Sequence, residues 1–329
     1  MAQEASWING DHFAVGRWDG TLSIFRFTEA PSAGPLITKA VNAPDQEGIQ
    51  MITPVGAGMF VTSNDEESAI CWAATQPDWS DLRAAARLAF DPTCGVANSG
   101  AVVDVSEARY LAMGHANGWL TIWLQQSLHV WVQVATVDLR SSSPVNPWGL
   151  HNIRGVAELP APTNGSGYVV TGSEDGNLSV VRVPDGAIQS ATVFNPKAQR
   201  GINSLAVKGG VLLVANCAVG RQDSNLWAYR VVEGTWELPL IDEANLAVDP
   251  NAQQVFNFDV VWTDGADMRF FCSTEEGALW MGSCSLAGGL EMIGYKLVGG
   301  PALGSALCVQ DEQLVTVAYD INEFMIGSS

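Results

Sequence analysis

The chain has 329 residues, 47% of them hydrophobic, with 35 acidic against 16 basic side chains and a formal net charge of −19. Such a length and apolar content suit a large buried core and argue against disorder. The charge argues against direct nucleic-acid binding, because Lys and Arg supply most non-specific affinity for phosphate.

At the N-terminus, "MAQEASWINGD" lacks the basic and apolar regions of a secretory leader, and no later apolar run reaches the roughly 18 residues of a membrane span. No membrane insertion is expected. The predicted location is cytoplasmic or nuclear, including the nuclear envelope as part of a complex. Six cysteines are scattered without a C-x-x-C pair, which suits reduced, buried thiols.

The first clear element is a hairpin, "HFAVGRWDGTLSIFRF", from His12 to Phe27, and "SWINGDHFAV" supplies the first two strands of its unit. The same layout of apolar run, polar turn and second apolar run recurs along the chain. Copies begin at Gly16, Ser63, Gly114, Gly172, Ala215, Ser273 and Ala318, 43 to 58 residues apart. Asp-Gly, Asn-Gly and Glu-Gly in these turns provide the positive backbone angle that a tight hairpin requires. Between the second and third copies, "DWSDLRAAARLAF" (Asp78 to Phe90) has helical Ala and Leu content and a plausible cap at Ser80, yet falls where an outer strand belongs. Helix and strand both stay open there. After the last copy, "EFMIGSS" ends the third strand of unit seven, and only "MAQEA" is left to act as a fourth.

Most hairpins are preceded by one apolar run and followed by a more polar one, giving four strands per unit. A period near 50 without helical repeats predicts an all-β, seven-bladed propeller of four-stranded antiparallel blades, its last blade incomplete, forming one domain over residues 1–329. The units resemble WD repeats over essentially the full length. Where the family's Trp belongs stand Phe25, Trp72, Trp123, Val181, Tyr229, Gly282 and Gly327, and none is followed by Asp. The turn acid is better kept, as Asp19 and Asp175, with Asn117 in the third unit. These departures predict loss of the family's His, Ser, Asp and Trp hydrogen-bond relay, and the resemblance implies a non-enzymatic platform for protein assembly.

No nucleophile elbow, phosphate loop, dinucleotide fingerprint or zinc-protease motif occurs, and no cofactor or metal is expected. His12, His115, His129 and His151 are read as surface or turn histidines. Acidic residues crowd the turns between second and third strands: Asp19, Asp65, Glu66, Glu67, Glu174, Asp175, Asp223, Glu275, Glu276 and Asp320. Like charges gathered on one face would steer a basic segment of a partner. Their alternative reading is turn chemistry, since Asp bonds local backbone in hairpins. Trp148, on the proline-stiffened connection Arg140 to Ile153, is a candidate interface anchor, with folding back on its own blade as the alternative reading. Phe324, Met325 and Ile326 mark an edge strand open to a strand donated by another protein subunit or by further chain, the alternative being a three-stranded last blade or a misassigned strand; coat and nuclear-pore scaffold propellers of the family are completed by partner strands. The competing functional reading is an enzyme or small-ligand propeller with its site at the central channel.

Overall fold

The computed structural model describes residues 2–27, 34–42, 48–56, 58–140, 150–160, 165–194, 201–219, 223–298, 306–317 and 321–326. Strands dominate, and the one helical turn among these residues is a 3-10 segment at Pro92–Cys94. Blade one comprises β1 (Ala2–Asn9), β2 (His12–Arg17), β3 (Thr21–Arg26) and β4 (Ile37–Ala40). Blade two follows with β5 (Ile52–Gly56), β6 (Met59–Asp65), β7 (Ser68–Ala73) and β8 (Arg83–Ala89). In blade three are β9 (Ala97–Val105), β10 (Ala108–His115), β11 (Trp119–Ser127) and β12 (Val130–Asp138), and in blade four β13 (Ile153–Glu158), β14 (Gly167–Ser173), β15 (Asn177–Val183) and β16 (Ile188–Val193). Blade five holds β17 (Ile202–Lys208), β18 (Val211–Val219), β19 (Leu226–Arg230) and β20 (Leu240–Ala244). Blade six holds β21 (Gln254–Trp262), β22 (Arg269–Thr274), β23 (Ala278–Ser285) and β24 (Gly289–Leu297). Blade seven has three described strands, β25 (Ala306–Gln310), β26 (Gln313–Val317) and β27 (Ile321–Met325).

All pairings are antiparallel, as four-strand meanders joined by short turns require. Gly20, Gly118, Gly176 and Gly277 close four of the second-to-third-strand turns at φ between +74° and +81°. Gly20 has a second constraint: a Cβ there would stand 2.7 Å from Asn42 Cβ.

Side-chain alternation builds the ring. In β10, Leu111 and Met113 join the apolar cluster shared with blade two, while Ala112 between them joins the cluster shared with blade four. A strand with period 2 thereby serves two neighbours, which is why these runs read as continuously apolar. Among the described residues seven such clusters occur, each shared by consecutive blades. One of them closes the circle, packing Trp7, Phe13 and Phe25 of blade one against Cys308, Val315 and Val317 of blade seven. Each fully buried Leu, Val or Phe stabilises the assembly by roughly 1.5–3 kcal/mol.

Residues 83–89 of the ambiguous segment are a strand, with Leu88 and the following Phe90 buried in the cluster between blades two and three. Ser80 donates to Asp78 in a turn instead of capping a helix. Ala2 to Ala5 of "MAQEA" belong to β1, the innermost strand of blade one, so they do not complete blade seven. A backbone joint links blades five and six, where Cys217–Val219 of β18 pair with Gln254–Phe256 of β21.

Candidate functional site

Two regions carry the candidate side chains: the turns joining second to third strands, and the channel walled by the first strand of every blade. Most of the turn carboxylates are engaged locally. Asp19 accepts from the Thr21 amide (3.0 Å) and hydroxyl (2.6 Å), which hold its carboxyl below the usual range. Asp65 accepts from the Glu67 amide (3.0 Å) and the Ser68 hydroxyl (2.7 Å), and Arg87 lies 3.3 Å away. Glu174 pairs with Arg154 at 2.7 Å. Glu275 accepts from the Phe256 amide at 3.0 Å, and Glu276 from the amides of Val248 and Asp249, each at 2.8 Å. Burial, with Glu276 adding repulsion, pushes the Glu275 carboxyl up despite that bond. Asp175 turns inward and is only 5% exposed. Glu66 and Glu67 are the exposed pair whose carboxylates make no hydrogen bond or ion pair among the described residues. Asp320 and Trp148 lie outside the described residues. Of the edge strand, Ile326 is buried against Leu307 and Leu314, while Phe324 and Met325 are described as backbone.

Pieces of the predicted-lost relay survive. In blade three, Trp123 Nε1 donates to Thr121 Oγ1 at 3.0 Å, and Thr121 lies 2.8 Å from His115 Nε2. His115 Nδ1 is 3.0 Å from the Gly95 carbonyl, which can only accept, so Nδ1 carries the proton; burial keeps the ring neutral, and Nε2 then accepts from Thr121. Complete burial pushes this imidazole down to about 4. In blade four, His151 Nδ1 lies 3.1 Å from Asp175 Oδ2, while Ser173 and the Asn177 amide donate to Oδ1. In blade two, Trp72 Nε1 donates to Thr62 Oγ1 at 3.0 Å. A search for the family's full dipeptide misses these because each blade keeps a different subset of the relay. His115 and His151 thus have structural partners within the fold.

The channel encloses about 540 Å³, and first strands of all seven blades contribute to its wall. Trp18 and Glu174 stand in its lining, so it opens on the face that carries the turns. Within it, Asp259 Oδ1 accepts from the Ser204 hydroxyl (2.6 Å) and the Val260 amide (2.9 Å), and Oδ2 from the Leu307 amide (2.8 Å). This one carboxylate ties blade six to blades five and seven. Burial raises it to about 6 against those three bonds, and Glu4 opposite is raised well above its usual range by burial and then by Asp259. Sequence reasoning missed both groups, because Glu4 sits in what reads as a polar tail and Asp259 inside an apolar strand.

Burial also raises the thiols of Cys71, Cys94 and Cys284 to about 11, and all six cysteines are free. Among the described residues, no group of three or more His, Cys, Asp or Glu side chains could hold a metal ion. No helix there is long and apolar enough to cross a membrane.

Solved structures match this architecture over nearly the whole chain. The β-propeller domain of Cps50 (Swd1) from Myceliophteria thermophila superposes with a TM-score of 0.68 at 14% identity, covering 99% of this chain and 96% of that one. The fold is a WD-repeat-like seven-bladed propeller. A chain of the mitotic checkpoint complex matches this propeller at TM-score 0.70 and 12% identity (99% and 90% covered), and Sqt1 of Saccharomyces cerevisiae at 0.66 and 14% (98% and 84%). No protein-family model matches the sequence, and no curated protein does.

Proposed function

We propose that the propeller is a non-enzymatic scaffold subunit, one domain over residues 1–329 working in the cytoplasm or nucleus, that holds a partner protein through a strand added to β27. The supporting observation is that blade seven ends, among the described residues, at its third strand, where every other blade has a fourth. The register shows which groups that strand offers. Ile326 N–H donates to the Glu312 carbonyl at 2.6 Å, and antiparallel bonding alternates, so Phe324 and Asn322 also face β26. Glu323 and Met325 direct their N–H and C=O groups outward, as a template for a new strand. A complex among the structural matches is consistent with this role.

Hydrogen exchange tests the reading. In the purified chain the Glu323 and Met325 amides should exchange quickly, and both should become protected with a stoichiometric partner. Slow exchange at both in the isolated chain would overturn it. Met325→Pro should abolish partner binding while shifting Tm by less than about 3 °C, because it removes an outward N–H and no bond to β26.

A second mode, docking of a basic segment on the acidic turns, is favoured by the exposed, unbonded Glu66 and Glu67. Glu66→Lys with Glu67→Lys is the clean probe, since reversing Glu275 or Glu276 would also strip backbone amides of their acceptor. Partner binding unchanged by this pair across a salt series would eliminate that mode. Asp320 is a proposed contact of the same kind, and Trp148 is a proposed loop anchor at a partner interface.

A further inference from the structure

The outer strand of a blade leaves one row of backbone groups unpaired, and β12 ends its sheet with that row on the rim of blade three. Most outer strands carry a charge that discourages a second chain. β4 is four residues long and holds Lys39, β8 holds Arg83 and Arg87, β20 holds Asp242 and Glu243, and β24 holds Glu291 and Lys296. Nine-residue β12 holds none before its last residue, Asp138. The stretch without Asp, Glu, Lys or Arg is longer still, running from Trp119 to Val137 across β11 and β12.

The same strand exposes apolar surface. Val130, Val132 and Val134 are 46%, 38% and 41% exposed, and Leu128, in the turn before them, 60%. β16, the other uncharged outer strand, exposes Ile188 alone among its large apolar side chains. Trp131 packs on the cluster shared with blade two, and Ala135 and Val137 on the one shared with blade four, so β12 is held in place while its valines stay outside.

We propose that β12 is a self-association edge, pairing antiparallel with β12 of a second copy of this chain to join two third blades into one continuous sheet. A two-fold interface sets a surface against itself, and Val-x-Val-x-Val reads alike in both directions, so an antiparallel copy brings valine against valine. Net charge decides where two copies can touch. With −19 on each, contact is favoured where neither brings a carboxylate, and a basic partner strand would find no carboxylate on this edge to pair with. This inference uses neither the β27 edge nor the exposed acidic turns, so it stands or falls separately from the proposed function.

Sedimentation equilibrium of the full chain tests this. An interface of one strand pair should give a dimer with Kd on the order of 10–100 µM. Raising NaCl from about 0.05 to about 0.5 M should tighten it roughly tenfold, because salt screens the repulsion between two acidic copies. In hydrogen exchange, amides of residues 130–136 should gain protection as protein concentration rises. Val132→Lys should weaken dimerisation at least about tenfold, whereas Ile293→Lys, the same kind of change at an exposed apolar position of β24, should leave it within about twofold. A monomer at every concentration up to about 500 µM, association that salt weakens, or equal effects of the two lysine variants would each overturn the proposal. Protection that appears at Glu323 and Met325 instead, or at β12 only when a different protein is added, would overturn it as well. The sedimentation and exchange series use the unaltered chain, so they decide the matter even where Val132→Lys fails to fold.

Discussion

His115 illustrates how one buried side chain sets a pH response. Its folded proton affinity is depressed to about 4 by burial, below the ordinary value of 6.5, so the unfolded chain binds a proton that the native ring refuses. Stability is therefore full above pH 6.5 and is lost as pH falls toward 4, with a limiting slope of about 1.4 kcal/mol per pH unit from this group. Asp259 works in the opposite sense. Its raised affinity adds stability as pH falls from about 6 toward 3.8. Comparing urea unfolding of the parent with His115→Gln at pH 7 and pH 4.5 isolates the histidine: the variant should lose less stability than the parent on acidification. Asp175→Ala should cost about 2–4 kcal/mol at neutral pH, read from the same unfolding curves, because Ser173, Asn177 and His151 all lose a buried acceptor. Neither role was legible in the sequence. A turn Asp and a lone His look the same whether they face water or a relay, and the partners of His151 lie more than twenty residues away.

The hairpins were legible element by element, since their turn residues act locally: an Asp-Gly or Asn-Gly pair determines a backbone angle whatever surrounds it. The outer strand β8 was not. Its Ala and Leu content favours a helix, and tertiary contacts override that preference by seating Leu88 in the apolar cluster between two blades. Leu88→Ala should therefore cost about 2–5 kcal/mol, as a cavity in a packed core does, and would cost much less on a solvated helix. The start of β1 was hidden for a related reason. An innermost strand faces the channel on part of its length, so Gln3 and Glu4 interrupt the apolar pattern that betrays other strands. Gly20→Ala tests a turn directly: its φ of +74° and the nearby Asn42 Cβ predict a loss of at least about 1 kcal/mol, measurable as a lower Tm.

For the whole molecule, repeat spacing carried the architecture because each blade is one unit that cannot bury its faces alone. Seven copies imply seven interfaces, and the clusters between blades appear in that number among the described residues. The channel site needed the ring itself. Glu4 and Asp259 are 255 residues apart in the chain, and only closure of blade one on blade seven brings them to one cavity. No local pattern encodes such a meeting.

The short backbone pairing between β18 and β21 has a consequence for how this ring comes apart. Among the described residues no other pair of neighbouring blades shares a strand ladder, whereas blades five and six are hydrogen-bonded as one eight-stranded sheet. Side-chain contacts yield gradually; a shared ladder yields as a unit. The two blades should consequently open and reclose together, so that under native conditions amides of residues 202–297 report one common opening free energy while other blades report their own. The circle thus has a stiff arc, and a partner that pries it open will do so elsewhere.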